Sequence, residues 1–180
     1  MIPTKVFFTK GTGISKDKLT SFELALRDAG IEKLNLVKVS SIIPSKCRTV
    51  SKNEILFNLN PGEIVFCALT KNQTNEPHRW IAASVGSAIL DDEENYGRIY
   101  KYYSFGEDEN TAGMYAEYMA VTMLTTTLNI ELDVDSTWLK RKNIYQAKGH
   151  NIYTDHTCQT AKVDKHGLWT TVVAAMVFIE

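Results

Sequence analysis

Ser40 and Ser41 stand back to back in the stretch Asn35-Leu-Val-Lys-Val-Ser40-Ser41-Ile-Ile-Pro44, where an alternating apolar pattern gives way to a proline. Pro44 ends regular strand pairing, so the two hydroxyls fall in a turn. A serine hydroxyl is a nucleophile only where its surroundings activate it, and Ser-Ser-x-x-Pro taken alone is simply a turn. Glu23 lies at the edge of an apolar stripe made by Leu19, Phe22, Leu26 and Ala29, a costly place for a carboxylate without a partner. Lys101 shares one face of a short alternating segment with Ile99 and Tyr103. An ammonium there can act as a general acid where burial or neighbours lower its pKa, or it can simply snorkel to water. His150, His156 and Cys158 are close in sequence, but their spacing matches no standard zinc pattern and no metal is expected. Gly11-Thr12-Gly13 is an isolated GxG, a common turn more often than an anion cradle. Tyr100, Tyr102 and Tyr103 have no basic patch beside them, so they predict sheet packing rather than base stacking.

These side chains must be held by ordinary globular elements. The chain has 180 residues, 44% hydrophobic and 23% charged, which fits one domain, 1–180, with a substantial core. A net charge of −1 gives no global electrostatic reason to expect nucleic acid or a membrane surface as partner. Cys47, Cys67 and Cys158 are odd in number and form no CxxC pair, which points to a reducing compartment. The apolar runs Val172–Ile179 and Ile81–Leu90 are too short to span a bilayer. The N-terminal MIPTKVFFTKGTG lacks the apolar run of a signal peptide. A soluble cytoplasmic protein is the expectation.

Periodicity predicts a strand over Lys5–Thr9 entering the glycine turn, then a helix from Leu19 to Ala29 stopped by Gly30. A second strand covers Leu34–Val39, and Ile64–Thr70 and Trp80–Leu90 look like buried strands. The polar turn Asp91–Asn95 joins the latter to Arg98–Ser104 in a hairpin. A helix is expected from Thr111 to about Leu128 through Met114, Tyr118, Val121 and Leu128, followed by strands over Asn143–Tyr153 and Leu168–Ile179. Strand pairs separated by two helices suggest an α+β layered sandwich.

The segment Asn35–Pro44 resembles the self-processing site of pyruvoyl-dependent arginine decarboxylases. The likeness extends over most of the chain: the helix Phe22-Glu-Leu-Ala-Leu-Arg-Asp-Ala-Gly30, the Ala88–Ile99 hairpin, and Val163-Asp-Lys-His-Gly167 before the last strand. It implies a four-layer αββα sandwich, self-cleaved between Ser40 and Ser41 into a β chain of 1–40 and an α chain of 41–180. The Ser41 hydroxyl would attack the Ser40 carbonyl, giving an ester; elimination and hydrolysis would leave a pyruvoyl group on residue 41. Asn35 matches the asparagine that the family needs for processing, as an oxyanion-stabilising side chain. The pyruvoyl group would form a Schiff base with the substrate amine and take up electrons as carbon dioxide leaves, with arginine to agmatine as the default reaction of arginine metabolism and polyamine biosynthesis.

Two positions depart from the family. Glu23 falls where an aspartate grips the substrate guanidinium, keeping the charge but lengthening the side chain by one methylene. Lys101 stands where the family has the glutamate credited with protonating the decarboxylated intermediate. The substitution leaves room for a different amino acid substrate on the same cofactor, or for a catalytically silent relative that keeps the fold and oligomer for binding. Tyr102, Tyr103 or the carboxylates of Glu107-Asp108-Glu109 from a neighbouring subunit are further proton or ligand sources. Family members assemble as trimers, sometimes paired into hexamers, with the site between subunits.

Overall fold

The computed structural model describes residues 2–91, 94–131, 144–147 and 150–180. Its first strand, β1 (Lys5–Ser15), runs straight through Gly11 and Gly13, where the sequence predicts a turn. The glycines are there for packing. A Cβ on Gly11 would lie 2.2 Å from the Ala25 carbonyl oxygen, and one on Gly13 would lie 2.0 Å from that of Ser21. Both contacts are with α1 (Lys18–Asp28), so the missing side chains let the helix lie directly on the strand. Asp17 caps α1 by accepting from the Thr20 N–H at 2.8 Å, and Gly30 ends it with φ +74°. The helix is where expected but turned: Ser21, Ala25, Leu26 and Ala29 are buried, whereas Leu19 is 68% exposed.

The chain then crosses between two sheets. β2 (Asn35–Lys38) pairs parallel with β5 (Ile64–Thr74), while β3 (Ile42–Ile43), just beyond Ser41, pairs antiparallel with β7 (Gly97–Phe105) of the other sheet. β4 (Arg48–Thr49) returns to lie parallel to β1, and α2 (Lys52–Leu56) leads into β5. β6 (Trp80–Leu90) and β7 form the expected hairpin, with Val85 opposite Lys101; of its tip, Asp92 and Glu93 lie outside the described residues. α3 (Glu109–Leu128) follows, then β8 (Ile144–Ala147), β9 (His150–Lys162) and β10 (Trp169–Ile179). The single strand expected over Asn143–Tyr153 is two antiparallel strands, β8 and β9, and Asn143 itself lies outside the described residues. The sheet orders are β2-β5-β10-β1-β4 and β3-β7-β6-β9-β8.

One core lies between the sheets, built from Val6, Ala68, Val172, Ala174 and Met176 of the first and Ile81, Ala83, Val85 and Ile99 of the second. On its other face the first sheet packs Phe7, Val173, Ala175 and Val177 against Ala25, Leu26 and Ala29 of α1. β10 is buried on both faces, which explains its unbroken apolar run. The second sheet packs Ala88, Leu90 and Ile152 against Ala120, Val121 and Leu124 of α3. That helix buries its small residues Ala112, Gly113, Ala116 and Ala120 together with Val121 of the predicted stripe, and Leu128 packs beside them, whereas Tyr118 is 52% exposed. Gly86 of β6 makes the approach possible, since a Cβ there would sit 2.3 Å from the Ala116 backbone.

Candidate active site

Ser40 is exposed and Ser41 half-buried, at the point where the backbone passes from the first sheet to the second. Upstream, the Val39 N–H donates to the Cys67 carbonyl at 3.0 Å, which continues the β2–β5 ladder. Downstream, the Ser41 carbonyl accepts from the Ile99 N–H at 3.0 Å, on β7. The Ser40–Ser41 peptide therefore bridges two rigid supports. Lys101 Nζ donates to the Val39 carbonyl at 3.2 Å, one residue before the serine pair. The sequence places Lys101 toward these serines, and the structure does bring it there.

Val39 and Ile42, the neighbours of the pair, line a cavity of about 290 Å³ with Pro3, Pro44, Phe66 and Phe178. Burial pushes the Cys67 thiol up to about 11, so this sulfur stays neutral beside the junction.

Asn35 is not at the junction within one chain. It begins β2, and its side-chain amide donates to the Gly62 carbonyl at 2.7 Å. Four residues separate it from Ser40, roughly 16 Å of chain when fully extended. Within one chain its side chain is placed beside α1. There Asn35 lines a cavity of about 280 Å³ with Phe22, Leu26, Leu34, Lys38 and Lys71. Glu23, the residue after Phe22, is exposed on the same helix. The Lys71 ammonium sits 4.4 Å from the centre of the Phe22 ring, and burial, helped by Lys38 and Lys18, lowers its pKa. One chain thus presents two separate surfaces, the serine junction with Lys101 and the α1 cavity with Asn35.

The remaining candidates are engaged elsewhere. His150, His156 and Cys158 lie on β9, not on a loop. The His156 Nδ1 pairs with Glu117 Oε1, and Glu117 is 2% exposed. Asp108 caps α3, accepting from the Thr111 N–H at 2.7 Å, and Glu109 pairs with Lys10 of its own chain. Tyr102 packs on Tyr115 with ring centres 4.5 Å apart, while Tyr103 is 61% exposed. Among the described residues no group of three His, Cys, Asp or Glu is arranged to hold a metal, and no helix is long and apolar enough to cross a membrane. Nothing in residue type points to the Ile99 N–H or the Val39 carbonyl as site groups, because backbone atoms carry no residue-type signal.

A two-sheet α+β chain with a serine pair at its sheet crossover defines a recognisable class. The family model for pyruvoyl-dependent arginine decarboxylase matches residues 5–180. A Methanococcoides burtonii protein named pyruvoyl-dependent arginine decarboxylase is 60% identical over 179 residues, 99% of each chain. Proteins named pyruvoyl-dependent arginine decarboxylase 2 from Methanosarcina mazei and Methanosarcina acetivorans are 59% and 58% identical, each over 99% of this chain and 98% of theirs. The chain belongs to the pyruvoyl-dependent arginine decarboxylase family, carboxy-lyases whose pyruvoyl group is covalently part of the protein.

Proposed function

We propose that the chain cuts itself between Ser40 and Ser41 and decarboxylates arginine to agmatine and carbon dioxide. In the first step the Ser41 hydroxyl adds to the Ser40 carbonyl carbon, the Ser40–Ser41 C–N bond breaks, and the hydroxyl proton passes to the freed amine. The resulting ester loses the Ser41 α-proton and its Cβ–O bond, releasing Ser40 as a carboxylate. Hydrolysis of the dehydroalanine left behind consumes one water, expels ammonia and leaves the pyruvoyl group. Domain 1–180 then consists of a β chain, 1–40, and an α chain, 41–180, in a four-layer αββα sandwich.

The surroundings of residue 41 fit such a group. When present, it supplies a ketone for the substrate amine and an adjoining amide carbonyl as electron sink. That carbonyl is the one already accepting from the Ile99 N–H at 3.0 Å, and this is the observation that carries the reading. A donor fixed in the β3–β7 ladder is in place before charge develops on the oxygen, which is the condition for electrostatic stabilisation. Val39 and Ile42 give the junction an apolar wall on one side. Lys101 is the proton source we assign to the substrate carbon, and Glu23 the carboxylate for the guanidinium. Their separation within one chain, together with the position of Asn35, supports a site closed between subunits of a cytoplasmic homotrimer or paired hexamer.

A second reading keeps the pyruvoyl group but changes the amino acid. Lys38 and Lys71 in the Asn35 cavity favour a substrate bearing a side-chain carboxylate. Carbon dioxide release from arginine, ornithine, lysine, aspartate and glutamate separates the two. Self-cleavage is tested by intact mass: wild type should give fragments of about 4 and 16 kDa, at roughly 110 Da per residue, with the larger trapped by phenylhydrazine. Ser41→Ala should stay whole. A wild-type chain that remains at 20.3 kDa and never reacts with the hydrazine removes the proposal.

A further inference from the structure

We propose that Lys101 is a positioning residue for self-cleavage, acting on the Ser40–Ser41 junction through the Val39 carbonyl; this rests on the reading that the chain is cut there. The peptide between Val39 and Ser40 is planar, so the direction of the Val39 carbonyl sets the orientation of the whole unit that delivers Ser40. The Val39 N–H is held by the Cys67 carbonyl at 3.0 Å. That bond alone leaves rotation about the Val39 Cα–C bond free. The Lys101 ammonium removes that freedom by holding the Val39 carbonyl at 3.2 Å. Beyond the junction, the Ile99 N–H holds the Ser41 carbonyl at 3.0 Å.

Ile99 and Lys101 are two residues apart on β7, so one strand grips the chain on both sides of the bond to be cut. Between the two grips the scissile carbonyl retains little freedom beyond the dihedrals of Ser40 and the φ of Ser41. Attack by a hydroxyl on the preceding carbonyl carbon requires a narrow approach geometry, and restricting the alternatives raises the fraction of time spent in it. The ammonium is half-buried, and a charge-assisted bond in that setting is stronger than a neutral one. Lysine also has the reach: its stem spans from the β7 backbone across the gap between the sheets to the end of β2.

The test follows cleavage of newly translated protein on denaturing gels, separately from turnover. Lys101→Met keeps most of the aliphatic stem and removes the donor; Lys101→Arg keeps a cationic donor. The Met variant should cut about tenfold or more slowly, and the Arg variant within about threefold of wild type. Melting curves taken in a Ser41→Ala background, where nothing is cut, report whether each variant folds. Equal rates for folded Met variant and wild type overturn the proposal, as does a folded Arg variant as slow as Met. If the Met variant does not fold, Lys101→Ala with added ethylammonium decides: acceleration over sodium chloride at equal ionic strength supports the role, and none overturns it. A wild-type chain that is never cut sinks the underlying cleavage reading instead, so the two failures are distinguishable.

Discussion

The Lys101 ammonium and the Val39 carbonyl meet at 3.2 Å although they belong to different supports: Lys101 to β7 of the second sheet, Val39 to the β2–β5 ladder of the first. The serine pair therefore lies in a crossover rather than in a surface turn. A cut there severs a connection between sheets while leaving each sheet's own ladders intact.

The two products should accordingly remain together. The 1–40 fragment contributes all 11 residues of β1, paired along its length with β10 from Lys5–Ile179 to Ser15–Trp169. It also carries α1, whose Ala25, Leu26 and Ala29 are buried against the first sheet. Cleaved protein should elute as one species in native gel filtration and separate only in denaturant. Dissociation of the small fragment in buffer would show that β1 and α1 are held more weakly than this burial requires.

Gly13→Ala should destabilise the uncut chain by about 3 kcal/mol, in the upper range for overpacking. The added carbon would meet the Ser21 carbonyl oxygen at 2.0 Å and the Ala25 nitrogen at 2.4 Å, both backbone atoms of α1. The helix must lift as a body to admit it. Gly62→Ala is the control: it has open space around it and only a positive φ of +85° to resist substitution, which costs about 1 kcal/mol. Urea unfolding of both variants in a Ser41→Ala background measures the difference.

The same glycines show what could be read from the sequence and what could not. Gly11-Thr12-Gly13 has the composition of a turn, and nothing local distinguishes a turn glycine from one removed to admit a helix. The reason lies 8 to 18 residues away, at Ser21, Ala25 and Ala29. In α3 the hydrophobic pattern pointed to Met114, Tyr118, Val121 and Leu128; Val121 is buried, but much of the buried face is Ala112, Ala116 and Ala120, because close approach to Gly86 selects size over hydrophobicity. Strands with strong patterns, such as β6, β7 and β10, were legible because their burial shows in residue type. At the site, Ser41 and Lys101 stood out through the family resemblance, and what the fold adds is the backbone around them, the Val39 carbonyl under Lys101 and the Ile99 N–H on the Ser41 carbonyl. The Gly62 carbonyl that takes the Asn35 amide lies 27 residues further along the chain, a partner that no local pattern around Asn35 signals.

Stability should fall as pH rises above about 6.5 through His156. The side-chain bond to Glu117 raises the His156 pKa, with Asp155 and Glu109 adding to it and burial opposing it. The folded state therefore holds a proton that the unfolded chain releases, so the stabilisation is fully present below 6.5 and is lost as pH rises through the raised value. Burial also raises the Asp155 carboxyl, but that loss begins from 3.8. His156→Gln should lower stability by about 2 kcal/mol at pH 6 and flatten this part of the profile. A variant whose urea midpoint still falls as steeply as pH rises above 6.5 would place the titrating group elsewhere.

Asn35 offers a test of where the site is closed. Its amide donates to the Gly62 carbonyl and lines the α1 cavity, so the expected help to cleavage is to the serines of another chain. Asn35→Ala alone should cut about tenfold more slowly than wild type. Co-expressed with an excess of Ser41→Ala chains, which cannot be cut but carry an intact Asn35, the Asn35→Ala chain should recover most of its rate. A size tag on one partner resolves the bands on a denaturing gel. If the slow rate persists in mixed assemblies, Asn35 acts within its own chain, and β2 must leave the β5 ladder to bring it to Ser40. If Asn35→Ala alone cuts at the wild-type rate, the amide serves only to hold the Gly62 turn.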